Sequence, residues 1–476
     1  MFGKGKKSKV FNKEKSDVIR EEKNNAAQVH EEFYNKVRNA YRSDELYELP
    51  DDEELTPEEI KKIHEFWDKY SFAYPDIDFK SFKAFKNRRG KVEVRHLPSV
   101  VRTMYLQEKF APWDFRMALQ VKAMLPLLFS NAKQPRTVLR QMNGFYTDSD
   151  FNLISRQEAT QLLAKESAQH RMIVKPRTKG GGRGIFFIEK GASYEKVEEA
   201  IDYLGPVGFV IQETLEQSEF MKKFNPSSVN TLRITSFLWK DEVHILASLI
   251  RVGKKGNEVD NYSQGGSLIG LDAKTGKCCR WAFTHEHERI TVLPSGLDLN
   301  QDLYVPNYEK AVSMVKEMHS RIPYIRMVSW DIAIDCENEP VFIENNFAGM
   351  IQIHECVTGP LFGDLTEEVL DEYLIKRFCF SVKVDGWLVD EYNNHVVIKE
   401  YIEENKEVVV PEKLLGKRVK SIKKNAFAIK DISSVSVSQR LYDASPNAFE
   451  GLKIKGLSHV SEAAKIVIRE KYLSNK

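Results

Sequence analysis

The chain has 476 residues, of which 42% are hydrophobic and 29% charged, and a formal net charge of +2. This length allows two or three domains with a sizeable core, and the ordinary composition argues against a disordered protein. The small net charge predicts no bulk attraction to nucleic acid or to a membrane surface, and no run of about 18 apolar residues could span a bilayer.

The first part of the chain is charged and then becomes helical. Residues 1–43 are rich in charge, and this composition predicts a flexible tail. The segment has no apolar stretch of the kind found in a secretory signal. From Thr56 the order Thr-Pro-Glu-Glu is typical of a helix start, with an N-cap, a proline at the first helical position and acidic residues in the first turn. Residues 44–130 therefore predict a mostly helical section.

The five cysteines show no C-x-x-C spacing, although Cys278 and Cys279 are adjacent. An adjacent pair is a poor disulfide framework, so free thiols in a reducing compartment are the simpler expectation. Together with the missing signal sequence, this pattern predicts a cytoplasmic protein.

A basic, glycine-rich turn follows in the segment Met172–Ile188, which reads MIVKPRTKGGGRGIFFI. Two β-rich runs, Met172–Val174 and Ile185–Ile188, flank the turn. Glycines allow positive φ and bring backbone N–H groups close to a ligand. A Walker A or Rossmann turn needs a helix after its glycines, so the pattern favours a lid over phosphates. A glycine-rich hairpin tip with solvated basic residues is the alternative.

Two further strands carry polar residues at their ends. Gly208–Glu213 is an apolar strand that runs into a polar turn. Beyond it, several polar residues crowd around the start of a strand predicted at Leu232–Leu238. Arg233 among them offers a forked donor suited to phosphate.

The stretch Val328–Asn346, VSWDIAIDCENEPVFIENN, predicts a hairpin with a polar turn at Cys336–Pro340. This hairpin brings Asp331, Glu344 and Asn346 to one end of two neighbouring strands. Two carboxylates and an amide oxygen are hard ligands of the kind that Mg²⁺ prefers when it also holds nucleotide phosphates.

Taken in this order, the motifs resemble the ATP-grasp superfamily. The segments NPSSVNTLRITS, VDNYSQGGSLIGLD and WDIAID…FIENN look more closely like the sugar-transfer-associated ATP-grasp family. The resemblance extends from about Asn131 to Leu374, which is roughly half of the chain. It implies an α+β fold in which two α+β subdomains clasp ATP, and an activity in which ATP activates a carboxylate.

The resemblance also implies roles for individual residues. Lys175 and Arg233 match the catalytic cations, and Asp331, Glu344 and Asn346 match the magnesium ligands. The residues implied to bind the nucleotide are Lys133, Lys175, Gly180, Gly181, Gly182, Arg183, Gly184, Gln212, Glu213, Glu219, Asn230 and Arg233. The chain departs from the family at Asn345, where an apolar residue is usual.

After about residue 378 the character of the sequence changes. Strand-like alternation is followed twice by Asn-Ala-Phe, at Asn425–Phe427 and Asn447–Phe449. The spacing of about 22 residues resembles BspA-type leucine-rich repeats. Two units are fewer than a freestanding solenoid needs, so this segment would pack on the enzyme or bind a protein partner.

The sequence thus predicts four parts: a tail (1–43), a helical section (44–130), an ATP-grasp domain (131–378) and a repeat-like segment (379–476). The resemblance implies an ATP- and Mg²⁺-dependent ligase that activates a small-molecule or sugar-linked carboxylate as an acylphosphate for attack by an amine, in cell-surface polysaccharide biosynthesis. A sugar or small-molecule kinase is one alternative. A nucleotide-sensing protein that recruits partners through its C-terminal repeats is another. Nucleic acid is not an expected partner.

Overall fold

The computed structural model describes residues 53–70, 77–177, 182–204, 208–258, 262–347, 351–376, 380–391, 395–423, 426–427, 432, 434–436, 443–444 and 453–455. These residues form two compact units. One contains 53–63 and 78–366, and the other contains 64–70, 77 and the described residues from 367 onward. The predicted tail and the second Asn-Ala-Phe lie outside the described residues, and the four-part division of the chain stays a prediction.

Helices dominate the beginning of the described chain. The α-helices before the first strand are α1 (Pro57–Trp67), α2 (Phe79–Arg89), α3 (Ser99–Val101), α4 (Gln107–Phe110), α5 (Trp113–Leu119) and α6 (Leu125–Leu128). A π-helical turn, Arg102–Leu106, joins α3 to α4, and a 3-10 turn, Lys122–Met124, precedes α6. Helix α1 starts as predicted, because the Thr56 backbone N–H donates to Glu59 Oε2 (2.7 Å) while Glu59 N–H donates to Thr56 Oγ1 (3.3 Å).

A six-stranded sheet follows, with the order β3-β2-β1-β6-β4-β5. Its strands are β1 (Thr137–Met142), β2 (Phe145–Thr147), β3 (Leu153–Ile154), β4 (Met172–Pro176), β5 (Phe186–Ile188) and β6 (Phe209–Glu213). Helices α7 (Arg156–Ser167) and α8 (Tyr194–Leu204) share a hydrophobic cluster with this sheet that includes Leu163, Ile201 and Ile211. The strands predicted around the glycine turn and at Gly208–Glu213 are present with small shifts of their ends.

The second sheet has seven strands in the order β11-β10-β9-β8-β7-β12-β13. The strands are β7 (Thr231–Trp239), β8 (Glu242–Val252), β9 (Ser267–Leu271), β10 (Ala282–Thr284), β11 (Arg289–Ile290), β12 (Met327–Ile334) and β13 (Pro340–Asn346). The helices before, between and after them are α9 (Glu219–Lys222), α10 (Tyr308–Ser320), α11 (Ile351–Thr358) and α12 (Thr366–Leu370).

The largest hydrophobic cluster lies on one face of the seven-stranded sheet and joins α10 to it. Trp330 is fully buried there and makes edge-to-face contacts with Phe129 and Phe342, at ring-centroid distances of 5.4 and 5.8 Å. Such aromatic burial is a large contribution to core stability. The opposite face of β7, β12 and β13 carries the polar residues Arg233, Asp331 and Glu344, together with buried apolar residues such as Phe237.

The C-terminal unit contains short strands of its own. A sheet with the order β14-β15-β16-β19-β18, with β21 paired to β19, accompanies a three-stranded sheet, β17-β20-β22. The strands are β14 (Phe380–Val384), β15 (Trp387–Glu391), β16 (His395–Tyr401), β17 (Glu407–Val409), β18 (Lys413–Leu414), β19 (Lys417–Ile422), β20 (Ser434–Ser436), β21 (Asp443–Ala444) and β22 (Lys453–Lys455). Several pairs of strands that are not consecutive in the chain are parallel. The leucine-rich-repeat assignment stays a prediction.

The combination of helices with largely antiparallel sheets confirms the α+β class predicted from the sequence. None of the helices in the described part of the chain is long and apolar enough to cross a membrane.

Candidate active site

A row of charged side chains crosses three neighbouring strands of the seven-stranded sheet. Asp331 on β12 is the direct cross-strand partner of Arg233 on β7 and of Glu344 on β13. Directly paired residues in antiparallel strands point to the same face of the sheet. The three side chains therefore lie side by side, on the face opposite Trp330.

Two β-bulges set this alignment. One lies between Asp331 and Ile332, and it makes Glu344 rather than Ile343 the partner of Asp331. The other lies between Thr235 and Ser236 in the β7–β8 pair. A shift of one residue moves a side chain to the other face of a sheet. The bulges thus gather the charged residues on one face.

Asp331 is the centre of an ion-pair network. Its side chain is 3% exposed. Arg233 donates to it through Nε and through an Nη at 2.9 Å from Oδ2, and Arg251 on β8 donates to Oδ2 at 2.8 Å. A buried carboxylate is stable only when it is paired and hydrogen-bonded, and these two guanidinium groups provide both.

Glu344 has a different cation as its partner. Lys122, in the 3-10 turn before α6, places its Nζ 3.0 Å from Glu344 Oε2. Burial alone would raise the pKa of the Glu344 carboxyl, but Lys122, Lys175 and Arg233 outweigh it and hold this pKa at about 2. Glu344 is therefore ionised at neutral pH.

Asn346 completes a set of oxygen donors. Its Nδ2 lies 3.5 Å from Asp331 Oδ2 and 3.4 Å from Glu344 Oε1. An amide turned by half a rotation about its last bond presents its oxygen at the same place. Two carboxylates with a neighbouring amide are a donor set that fits Mg²⁺.

Lys175 lies on the six-stranded sheet and faces this set. It is 9% exposed, and its Nζ donates to Gln212 Oε1 at 2.9 Å. Gln212 is fixed in turn, since its Nε2 donates to Thr137 Oγ1 at 3.2 Å. Because the charge of Lys175 also lowers the pKa of Glu344, the two sheets contribute to one electrostatic site.

The glycine turn between β4 and β5 is described in part. Gly182 and Gly184 have φ values of +70° and +76°, the left-handed region that glycine adopts readily. Arg183 lies between them. Gly180 and Gly181 lie outside the described residues, and their role stays a prediction.

Four residues implied by the resemblance do not join the Asp331–Glu344 group directly. Lys133 Nζ lies 2.6 Å from Asp335, in the turn of the β12–β13 hairpin. Glu219 is 88% exposed and pairs with Lys222. Asn230 is buried and donates to Gln217 Oε1 and to the backbone carbonyls of Met221 and Asn225. Glu213 pairs with Arg136 at the end of β6.

Asn345, the departure from the family pattern, points away from the charged row. It is paired across the strands with Trp330, and its Nδ2 donates to the backbone carbonyl of Leu119 at 3.2 Å. The polar side chain is therefore accommodated on the core face, and the register of β13 places Glu344 and Asn346 on the other face.

Two cations of the site were missed in the sequence. Arg251 lies in an apolar run, ASLIRV, and shares a face with Arg233 only because of the bulge in the β7–β8 pair. Lys122 belongs to a helical section in which no glycine or acidic motif marks it. The signal available for Lys122 was its position shortly before the first strand, which is a weak one.

The chain is similar to several proteins of known structure. No curated protein matches the chain significantly. Among solved structures, the biotin carboxylase domain of Hydrogenobacter thermophilus 2-oxoglutarate carboxylase is 15% identical over 56% of this chain and 47% of that one, with a TM-score of 0.34. The chain thus spans about half the length of that protein.

Two further solved structures are similar to the chain. The ATP-grasp ligase PsnB, complexed with a precursor peptide and AMPPNP, is 13% identical over 66% of this chain and 76% of that one, with a TM-score of 0.32. The D-alanyl-alanine synthetase A of Vibrio cholerae is 10% identical over 56% of this chain and 66% of that one, with a TM-score of 0.31.

The chain also matches the model of a protein family. It extends over residues 127–369, about half of the sequence, and includes both sheets with Lys175, Arg233, Asp331 and Glu344. This range agrees with the extent of the resemblance found in the sequence. The chain belongs to the sugar-transfer associated ATP-grasp family.

Proposed function

We propose that the protein is an ATP- and Mg²⁺-dependent ligase that activates a carboxylate as an acylphosphate for attack by an amine. The observation that carries this proposal is the row Arg233–Asp331–Glu344, which lies opposite Lys175. It combines oxygen donors for a metal with cations for phosphates in one mostly buried place.

The proposed chemistry has two steps. A carboxylate oxygen of the substrate attacks the γ-phosphorus of ATP, the bond to the β–γ bridging oxygen breaks, and ADP leaves. The amine nitrogen then attacks the acyl carbon, the acyl–oxygen bond breaks, and phosphate leaves with formation of an amide. Both steps bring anions together, so catalysis depends on positioning and charge neutralisation.

The residues of the site fit these demands. Lys175, Arg233 and Arg251 supply fixed positive charge for the triphosphate and for the acylphosphate. Asp331, Glu344 and Asn346 would hold Mg²⁺, which neutralises phosphate charge when it is bound. Lys122 holds Glu344 in place from the side of the helical section.

A role in cell-surface polysaccharide biosynthesis is the finer part of the proposal. It is supported by membership of a sugar-transfer associated family, and it implies a sugar-linked substrate. Fold alone does not determine substrate, so the acyl donor and the amine have to be identified by screening.

The first experiment is a thermal-shift titration with ATP, ADP and GTP, with and without Mg²⁺. Wild type, Glu344→Gln and Glu337→Gln are compared. Glu337 lies in the turn of the same hairpin and is 76% exposed, so its variant is a matched control. We expect Mg²⁺-dependent stabilisation by ATP, of about 3 kcal/mol at a hundredfold excess over Kd, in wild type and Glu337→Gln but not in Glu344→Gln.

Phosphate release then separates the reaction types. A ligase releases inorganic phosphate only when an amine is present together with a carboxylate, whereas a kinase leaves the phosphoryl group on its acceptor and forms ADP without inorganic phosphate. Folded wild-type protein that gives no thermal shift with any nucleotide would contradict the proposed function.

A further inference from the structure

A chain of three buried polar side chains crosses the six-stranded sheet, and the residue at its far end has no role in the chemistry described above. The three residues are Thr137 on β1, Gln212 on β6 and Lys175 on β4, and each is at most 9% exposed. Their strands are neighbours in the order β1-β6-β4. A buried polar group costs free energy unless it is hydrogen-bonded, so the bonds among these residues indicate what they do.

The register of the strands places the three side chains on one face of the sheet. Gln212 is the cross-strand partner of Thr137 on one side and of Ile173 on the other. Lys175 lies two residues after Ile173 in β4, which puts it on the same face and diagonal to Gln212. Ile211, next to Gln212, belongs to the hydrophobic cluster with α7 and α8. The polar side chains therefore lie on the face turned away from these two helices.

The hydrogen bonds of this chain determine the orientation of the Gln212 amide. Lys175 Nζ can only donate, so the atom of Gln212 that it meets at 2.9 Å is the acceptor Oε1. At the other end of the amide, Nε2 donates to Thr137 Oγ1 at 3.2 Å and to the carbonyl oxygen of Pro135 at 3.5 Å. The Thr137 hydroxyl is the nearer of these two acceptors. Thr137 thus helps to turn the oxygen of the amide towards Lys175.

Another buried glutamine of the same unit has a different set of partners. Gln217 Nε2 donates to the backbone carbonyls of Asn225 and Ser228, and its Oε1 accepts from the backbone and side-chain nitrogens of Asn230. Its amide connects segments of the backbone. The oxygen of the Gln212 amide accepts instead from a cation of the proposed site, which favours a role in placing that cation.

We propose that Thr137 is a positioning residue of the reaction, which acts through Gln212 to hold the ammonium group of Lys175 where the phosphates of ATP bind. An ammonium group donates up to three hydrogen bonds, and the bond to Gln212 fixes the direction of one of them. A cation held in place stabilises phosphate charge without the cost of reorganisation. The inference rests on the proposed function, in which Lys175 supplies positive charge for the triphosphate.

Loss of the Thr137 hydroxyl should affect the phosphate end of the nucleotide rather than the base. Without this acceptor the buried amide of Gln212 is free to rotate, and rotation places Nε2, a donor, against the ammonium group of Lys175. Both polar atoms of the Gln212 side chain bond within the protein, so we expect no direct loss of contact with adenine or ribose.

The test compares two ligands of the full chain. Mg²⁺–ATP is titrated by calorimetry, and adenosine, which has no phosphates, is titrated by ligand-observed NMR. Thr137→Val replaces the hydroxyl by a methyl group, whereas Thr137→Ser keeps the hydroxyl. Thr160→Val is the control, because Thr160 on α7 is also buried and its hydroxyl donates to the backbone carbonyl of Arg156 at 3.0 Å.

We expect Thr137→Val to bind Mg²⁺–ATP about five- to tenfold more weakly than wild type, with adenosine affinity within about twofold. Thr137→Ser and Thr160→Val should stay within about twofold of wild type for both ligands. In a Lys175→Met background, Thr137→Val should change Mg²⁺–ATP affinity by less than about twofold, because the effect of Thr137 passes through Lys175.

Gln212→Met removes the amide and should show the same selective loss, which keeps the test decisive if Thr137→Val does not fold. Two results would overturn the inference: equal Mg²⁺–ATP affinity in wild type and folded Thr137→Val, or equal losses for Mg²⁺–ATP and adenosine, which would indicate a general structural defect. Failure of the proposed function is seen separately, as absence of Mg²⁺–ATP binding by the wild type.

Discussion

Lys122 and Lys133 are close in sequence, but they contact different parts of one hairpin. Lys122 pairs with Glu344 within the charged row, whereas Lys133 pairs with Asp335 in the turn. The family resemblance implies that Lys133 binds the nucleotide, and that role stays a prediction. Lys122 is the lysine that contacts Glu344, a proposed Mg²⁺ ligand, which makes it the stronger candidate for a role in the site.

This contrast gives a prediction for two matched variants. Lys122→Met should weaken Mg²⁺–ATP binding by about tenfold or more, since a charge-assisted hydrogen bond to Glu344 is lost. Lys133→Met should change the affinity for Mg²⁺–ATP by less than about twofold, because the ion pair that it removes is formed by a lysine that is 48% exposed. Calorimetric titration of both variants checks the prediction. Equal losses in the two variants would show that Lys133 also reaches the nucleotide.

A second residue-scale prediction concerns pH. Burial and Arg326 lower the pKa of His319 from 6.5 to about 4. The unfolded chain therefore binds a proton at this residue between about pH 6.5 and pH 4, while the native chain does not. The free energy of unfolding should fall as pH is lowered through this window, by up to about 3 kcal/mol from His319 alone.

Chemical denaturation from pH 7 to pH 4 measures this effect. The slope of the free energy of unfolding against pH should be smaller in His319→Gln than in wild type, although the variant is less stable at pH 7. Wild type and variant with the same slope would contradict the assignment of this proton uptake to His319.

At the scale of elements, the position of the strands was predictable, but their register was not. The Asp-x-x-x-Asp and Glu-Asn-Asn patterns predicted the hairpin with its acidic residues, and the hairpin is present. The regular alternation of a strand would place Glu344 on the opposite face from Asp331. Only the bulge after Asp331 places Glu344 on the same face as Asp331. The bulge after Thr235 likewise places Arg251 on the same face as Arg233.

Neither bulge is marked by a glycine or another local signal at these positions. The bulges depend on packing in the assembled sheet, which a sequence read segment by segment does not contain. Lys122 was missed for a similar reason, because its contact with Glu344 joins segments that are far apart in the chain. The site residues that the motifs identified are those whose positions depend on the local sequence.

A turn element gives a further prediction. Gly276 has a φ of +69°, and a Cβ added there would lie 2.5 Å from Cγ of Tyr308, at the start of α10. Gly276→Ala should lower the free energy of unfolding by about 2–4 kcal/mol, because backbone strain and a steric clash add together.

Gly296→Ala is the matched control. Its φ is +90°, but nothing lies within 4 Å of the added Cβ, so only the backbone strain of about 1 kcal/mol applies. Urea denaturation of the two variants compares them. A Gly276→Ala protein as stable as Gly296→Ala would show that Tyr308 moves aside without cost.

At the scale of the whole molecule, the two units have separate hydrophobic cores. The C-terminal cluster takes its buried residues from the range 387–435, including Trp387, Ile398 and Phe427. The charged row and its cations lie between residues 122 and 346. The C-terminal segment therefore contributes none of the described site residues.

Deletion of residues 380–476 should leave Mg²⁺-dependent ATP binding within about threefold of the full chain, because domains with their own cores fold independently. Thermal shift and calorimetry on the shortened chain check this expectation, with circular dichroism to establish that it is folded. A folded fragment that no longer binds ATP would show that the C-terminal segment completes the site.

The order of strands in the seven-stranded sheet also bears on how the site comes into being. Strands β7 to β11 follow one another as neighbours, so their contacts form between segments that are close in the chain. The β12–β13 hairpin joins the free edge of β7 only after the chain has returned through α10, and the contact between Arg233 and Asp331 spans 98 positions. Closing so long a loop costs entropy and is slow compared with local pairing. During synthesis, the basic residues of the site are made before the β12–β13 hairpin. A nascent chain therefore has five of the seven strands, and it lacks the proposed metal ligands until the hairpin has docked.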